Sequence, residues 1–183
     1  MVVTTPKIPG QASDGATGRT TGGAAVDDPD PADYAARAAR LPDGTAIHNL
    51  YVPAGGDEPD VAVNAKFDHK LRFVDQMGQV FAGQKGDAIL VGDLNIAPGL
   101  EDVHDHKKCR RQVGHSDAER ALMAEVIEAG DWVDTGRHVQ PEGSLFSWWG
   151  YRFPPSFERN LGWRLDHLWL KSKHASKIKD ASI

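Results

Sequence analysis

The 183-residue chain has a single cysteine, Cys109, so no intrachain disulfide can form and a reducing compartment is expected. No apolar run approaches membrane-spanning length. The N-terminus carries Lys7 but no hydrophobic segment behind it, which argues against a secretory signal and for a cytoplasmic protein without a membrane partner. Positive charge is not in excess either. Lys and Arg number 21 against 26 Asp and Glu, for a net charge of −5, so a histone-like binder is excluded. No internal repeat is visible.

What is present divides the chain in two. Met1 to Pro31 is rich in Gly, Thr, Ala and Pro and closes on Asp27-Asp28-Pro29-Asp30-Pro31. Such a stretch buries too little apolar surface to offset its ordering entropy. Residues 1–32 are therefore read as a disordered leader and residues 33–183 as the folded domain. Within the domain, Asp33–Arg40 is expected to form a short helix and Thr45–Val52 a strand stopped by Pro53. Phe67, Leu71, Val74, Met77 or Gly78, and Phe81 recur at helical spacing and predict an amphipathic helix over Asn64–Phe81. Ala88–Val91 is a continuous apolar run, the pattern of a strand buried on both faces. Ser116-Asp117-Ala118-Glu119 has the form of a capping box, opening a helix whose apolar positions are Ala118, Leu122, Val126 and Ala129. Phe146–Tyr151 and Arg164–Leu170 read as two more strands. About four strands among amphipathic helices argue for an α/β layered fold with an unfinished sheet.

Two stretches carry the chemistry. Gly92-Asp93-Leu94-Asn95 ends one strand, and Arg164-Leu165-Asp166-His167 enters another. Asp93 and Asn95 stand two apart, so their side chains can share a side. A carboxylate and an amide oxygen are hard ligands suited to Mg²⁺, which takes one or two carboxylates and completes its shell with phosphate and water. An Asx turn at a strand end accounts for the same spacing. Asp166 shares a strand face with Leu168 and Leu170, a face expected to be buried. There it needs a partner, either a histidine whose tautomer it fixes or Arg164 in an ion pair. Strand alternation sends His167 to the opposite side. Tyr51 closes its strand where a phenol can reach a phosphate, or rest in the core with its hydroxyl at the rim. Trp148, Trp149 and Tyr151 can stack on bases at about 1–3 kcal/mol each, with at most one of the two tryptophans exposed. Arg152 and Asn160 are candidates for phosphate contacts. Two basic runs, His104–His115 and Ser147–Arg164, suggest a local basic groove on an acidic protein or two solvated loops. His104, His106, Cys109 and His115 fit no common zinc spacing.

Six motifs in one order make the chain resemble a known family. NLYVPAGGD, KFDHKLRF, ILVGDLNIAP, SDAERA, FSWWGYR and NLGWRLDH run as they do in the exonuclease III family of the endonuclease/exonuclease/phosphatase superfamily, over roughly Asp33–Ser172. The resemblance implies an α/β fold, a four-layered sandwich of two β-sheets flanked by helices, here partial. It implies a Mg²⁺ (or Mn²⁺)-dependent nuclease that removes nucleotides from 3′ ends of duplex DNA and cuts beside abasic sites, as a monomer. Under it Tyr51 contacts the scissile phosphate, Asp93 positions or deprotonates the attacking water, and Asn95 binds phosphate. Asp166 is the required aspartate of the R-x-D motif. Asp93 and Asn95 lie at the metal, and Trp148, Arg152 and Asn160 face DNA. The family's early glutamate ligand and its late Ser-Asp-His segment have no counterpart, since Met1–Pro31 holds no glutamate and His174 follows no aspartate. The chain is therefore expected to be truncated at both ends. The alternatives are a non-catalytic remnant that binds DNA or a partner, and a phosphoesterase of the same superfamily acting on a lipid or nucleotide.

Overall fold

Alternation of apolar and polar side chains lets strands pair into a sheet with one face against helices, and the molecule is built on one such sheet. The structure is a computed structural model describing residues 38–150 and 152–181. The leader 1–32 and Tyr151 lie outside the described residues.

The strands of the main sheet are β1 (Ala39–Arg40), β2 (Ala46–Asn49), β3 (Ala88–Asp93), β4 (Trp132–Asp134) and β7 (Asp166–Lys171). Their order is β1-β2-β3-β7-β4. Only β2 and β3 run parallel; the remaining pairs are antiparallel. A parallel pair needs a long crossover, and α1 (Ala65–Ala82) supplies it. A second sheet is formed by β5 (Trp148–Trp149) and β6 (Gly162–Trp163). The shorter helices are α2 (His106–Cys109), α4 (Thr135–Val139) and α5 (Pro155–Glu158), and α3 (Asp117–Ala129) is the second long one. Seven strands are thus present among the described residues, where the sequence suggested about four.

Asn64 starts α1 by accepting from the amides of Lys66 and Phe67, and the helix ends at Gly83. Phe67, Val74, Met77 and Phe81 are buried, as their spacing predicts. Ser116 and Glu119 form the expected capping box of α3. Here the buried positions are Glu119, Met123 and Val126, while Ala118 and Ala129 are exposed, so the inward stripe is rotated from the expected one. Short alanines at the rim left the sequence ambiguous about the facing.

Helices α1 and α3 cover one sheet face. Leu90 and Trp169, opposite each other on β3 and β7, are fully buried beneath them. The other face carries Ile89 and Val91 against Leu170 and Leu168. Ile89, Val91 and Leu170 are half-buried, and Leu168 is 45 % exposed. The expectation that β3 is buried on both faces is therefore corrected: a continuous apolar run covers a strand whose second face is open among the described residues. Ala39–Arg40, expected in a helix, pairs with β2 as a strand instead, because the Pro42–Gly44 turn folds it back. Its remaining expected helical residues, 33–37, are outside the described set.

Candidate active site

The site lies where β2, β3 and β7 reach the same end of the sheet. Beyond β2, Leu50 donates to Val91 O and Val52 to Asp93 O, at 2.9 and 3.0 Å. The chain thus stays extended, with Leu50 and Val52 buried and Tyr51 between them 66 % exposed. This approach depends on Gly92. At its φ of +137°, an added Cβ would lie 1.9 Å from Leu50 O.

Asp93 ends β3 and Asp166 begins β7, and the two are direct register partners. Partners on one antiparallel rung project to the same side. His167, one residue on, is buried on the opposite side, as strand alternation requires. Asp166 itself is exposed, which corrects the expectation of a buried face. Arg164, one of its two expected partners, is engaged elsewhere. Arg164 is only 2 % exposed and is taken by Asp102 (2.7 and 2.9 Å) and Asp134 (2.8 Å). Among the described residues, no lysine or arginine forms an ion pair with Asp93 or Asp166. Instead, Ser147 Oγ accepts from the amides of Leu165 and Asp166, both at 3.0 Å, and so fixes where β7 starts.

Burial raises the Asp93 carboxyl above its usual range, and the charge of Asp166 adds to this. The Asn95 amide, which donates to Asp93 Oδ1 at 3.0 Å, opposes it. The Asx turn offered by the sequence therefore exists, and it sits inside the candidate site. Asn95 adopts φ +50°, and its side-chain nitrogen donates to Val52 O at 2.8 Å. Tyr51, Asp93, Asn95 and Trp148 line one cavity of about 380 Å³. Asp166 lines a larger neighbouring cavity of about 750 Å³ with Arg164, His167 and Leu168. The carboxylates thus meet across the rung, and each opens onto its own space.

The aromatic and basic candidates separate. Trp148 is 41 % exposed at the cavity. Trp149 donates from Nε1 to Asn160 Oδ1 at 3.2 Å and packs edge-on against Phe146 and Phe157. Asn160 therefore braces this loop. Neither it nor the exposed Arg152 lines the cavity. The basic runs are partly neutralised: Lys108 pairs with Asp105, Arg110 with Asp117, and Arg164 is buried. His106 and His115 hydrogen-bond each other at 2.9 Å, and Cys109 is buried. No group of three or more His, Cys, Asp or Glu side chains poised for a metal occurs among the described residues.

One supporting pair escaped the sequence reading. Lys70 and Glu119 are both fully buried, 2.6 Å apart. Lys70 also donates to Ala54 O and Asn95 O, at 3.2 and 2.8 Å. Glu119 accepts from the Gly114 and Ser116 amides and from Ser116 Oγ. Burial pulls the Lys70 ammonium below the usual lysine range, and Glu119 opposes that. The available signal was a lysine within the apolar stripe of α1, three residues after Phe67.

Residues 17–179 match the endonuclease/exonuclease/phosphatase family. An exodeoxyribonuclease of Bacillus subtilis is 43 % identical over 101 residues, which are 55 % of this chain and 39 % of that protein. A 3′-5′ exonuclease from Neisseria meningitidis superposes with a TM-score of 0.70 at 29 % identity, covering 78 % of this chain and 54 % of that one. An AP endonuclease from Archaeoglobus fulgidus gives 0.69 at 26 %, covering 76 % and 53 %. The chain spans about half the length of the curated relatives it matches. No helix among the described residues is long and apolar enough to cross a membrane. By sequence and by fold, the chain belongs to the endonuclease/exonuclease/phosphatase family.

Proposed function

We propose that the chain is a divalent-metal-assisted DNA nuclease of the exonuclease III type, hydrolysing phosphodiesters at 3′ ends and abasic sites of duplex DNA. The observation that carries this reading is the rung Asp93–Asp166, two carboxylates on one side of the sheet, beside a cavity edged by Tyr51, Asn95 and Trp148. The names of the relatives point the same way.

The donor set fits a divalent cation. Asp93 is held in a state that penalises its charge, and a second carboxylate beside it deepens the penalty; a cation at this point relieves both. Asp93 would hold it, with Asp166 and the Asn95 amide oxygen nearby. A cation such as Mg²⁺ or Mn²⁺ bound there supplies charge neutralisation for the phosphate. The remaining roles belong to the chain. Asp93 orients the attacking water and takes its proton. The Tyr51 hydroxyl donates to a phosphate oxygen, and the second Asn95 amide hydrogen donates to another. Trp148 stacks on a base or fills the gap left by a missing one.

The test is turnover of a duplex bearing one abasic site, and of a 3′-recessed duplex, with Mg²⁺ or with a chelator. Small phosphate esters serve as competitors. The reading expects metal-dependent cleavage of DNA that such esters do not inhibit. Preferential turnover of the esters would move the chain to a phosphoesterase. Salt-sensitive binding without any turnover would leave a DNA-binding remnant.

A further inference from the structure

The loop after β3 carries Asn95, and its next four carbonyls share one feature. Each accepts a hydrogen bond from a basic side chain on a different part of the fold. Lys70 of α1 donates to Asn95 O at 2.8 Å. His167 Nε2 of β7 donates to Ile96 O at 2.9 Å. His115 Nδ1, just ahead of α3, donates to Ala97 O at 2.6 Å. Arg120 Nε of α3 donates to Pro98 O at 2.9 Å. A carbonyl can only accept, so both imidazoles must carry their proton on the nitrogen facing the loop.

We propose that His115 and His167 are positioning residues that, with Lys70 and Arg120, clamp the Asn95–Pro98 loop and set where the Asp93 and Asn95 side chains stand. This rests on the reading of Asp93 and Asn95 as site residues.

Three further observations carry it. The loop begins with a non-glycine residue at φ +50°, a conformation that persists only where its surroundings impose it. Both imidazoles are buried, at 0 % and 5 % exposure, so neither bond competes with water. Each imidazole also has its second nitrogen engaged. His115 Nε2 lies 2.9 Å from His106 Nδ1, and His167 Nδ1 lies 3.3 Å from Arg164 Nη1 and 3.9 Å from Asp134 Oδ2. Each ring is therefore held from both sides, by a loop carbonyl ahead of it and a neighbour behind it. The loop's own amides close the arrangement, with Leu94 donating to Leu165 O and Ala97 to Gly114 O.

The experiment is amide hydrogen exchange on the whole chain, without metal, for His167→Leu and His115→Leu against the donor-retaining His167→Gln and His115→Asn. The Leu variants should speed exchange at Leu94 and Ala97 on the order of tenfold, as loss of one such bond allows, with the α1 amides unchanged. The Gln and Asn variants should restore protection. Where the wild type turns over DNA, kcat should fall in the Leu variants with KM held, and recover with Gln and Asn. Unchanged exchange at Leu94 and Ala97 would overturn the clamp. So would faster exchange spread equally over α1 and the sheet, or donor-retaining variants no better than Leu. A wild-type chain without turnover would count against the proposed function alone, because the exchange readout does not need it.

Discussion

At the scale of single residues, the most constrained position in the site bears no functional group. Gly92 lets β2 and β3 approach closely while its φ is +137°. Gly92→Ala puts a carbon against Leu50 O, and a thermal or denaturant melt should show a loss of about 3 kcal/mol or more. His115 offers a pH handle. Burial holds its imidazole below its ordinary value of 6.5, with the charge of Arg120 and the neighbouring His106 acting in the same direction. The folded state therefore binds fewer protons than the unfolded chain. Its contribution is fully present above about pH 6.5 and is lost as the pH falls from there through the depressed folded value. His115→Asn should flatten that portion of the stability profile; an unchanged slope would show that His115 titrates normally. Asp93, Asn95 and Asp166 stood out as candidates in the sequence because carboxylates and an amide at strand ends, in a fixed order of motifs, are unusual. The partner of Arg164 was not, because Asp102 is sixty-two positions away and only the fold brings it near.

At the scale of elements, the long helices were read from periodicity, and the shortest strands, β1, β4 and β6, were not. The stripe of α1 fixed its length and facing, since Phe67, Val74, Met77 and Phe81 are large and leave no second solution. In α3 the stripe was misjudged because small residues carry little periodic signal and a buried glutamate looks polar. The same glutamate explains how the elements lock. Lys70 and Glu119 join α1 to α3 and both to the loop bearing Asn95. Lys70→Met leaves an uncompensated buried carboxylate and should cost about 3–5 kcal/mol. Lys70→Met with Glu119→Gln should be more stable than Lys70→Met alone, because the charge goes and an acceptor for the Gly114 and Ser116 amides remains. A double variant as unstable as the single one would show that the two residues act independently. β5 falls inside the strand read over Phe146–Tyr151, whereas β6, two residues long, is too short for alternation to announce it.

At the scale of the whole molecule, the α/β class followed from the mixture of patterns, and the sheet order did not. One face of the sheet is packed under two helices, and the other bears the carboxylates and an exposed Leu168. A net charge of −5 leaves any affinity for DNA to local cations. Binding should weaken steeply with salt, and Arg152→Ala should lower the magnitude of the slope of log K against log salt by about 1. An unaltered slope would place Arg152 away from phosphate. All of these expectations converge on the rung Asp93–Asp166. Its most direct test is metal-dependent cleavage of an abasic-site duplex by the wild type beside Asp93→Ala and Asp166→Ala, each shown to be folded. The account expects product from the wild type with Mg²⁺ or Mn²⁺, and a fall of at least about a hundredfold in both variants. Equal cleavage by wild type and variants, or none by any of them, would contradict it.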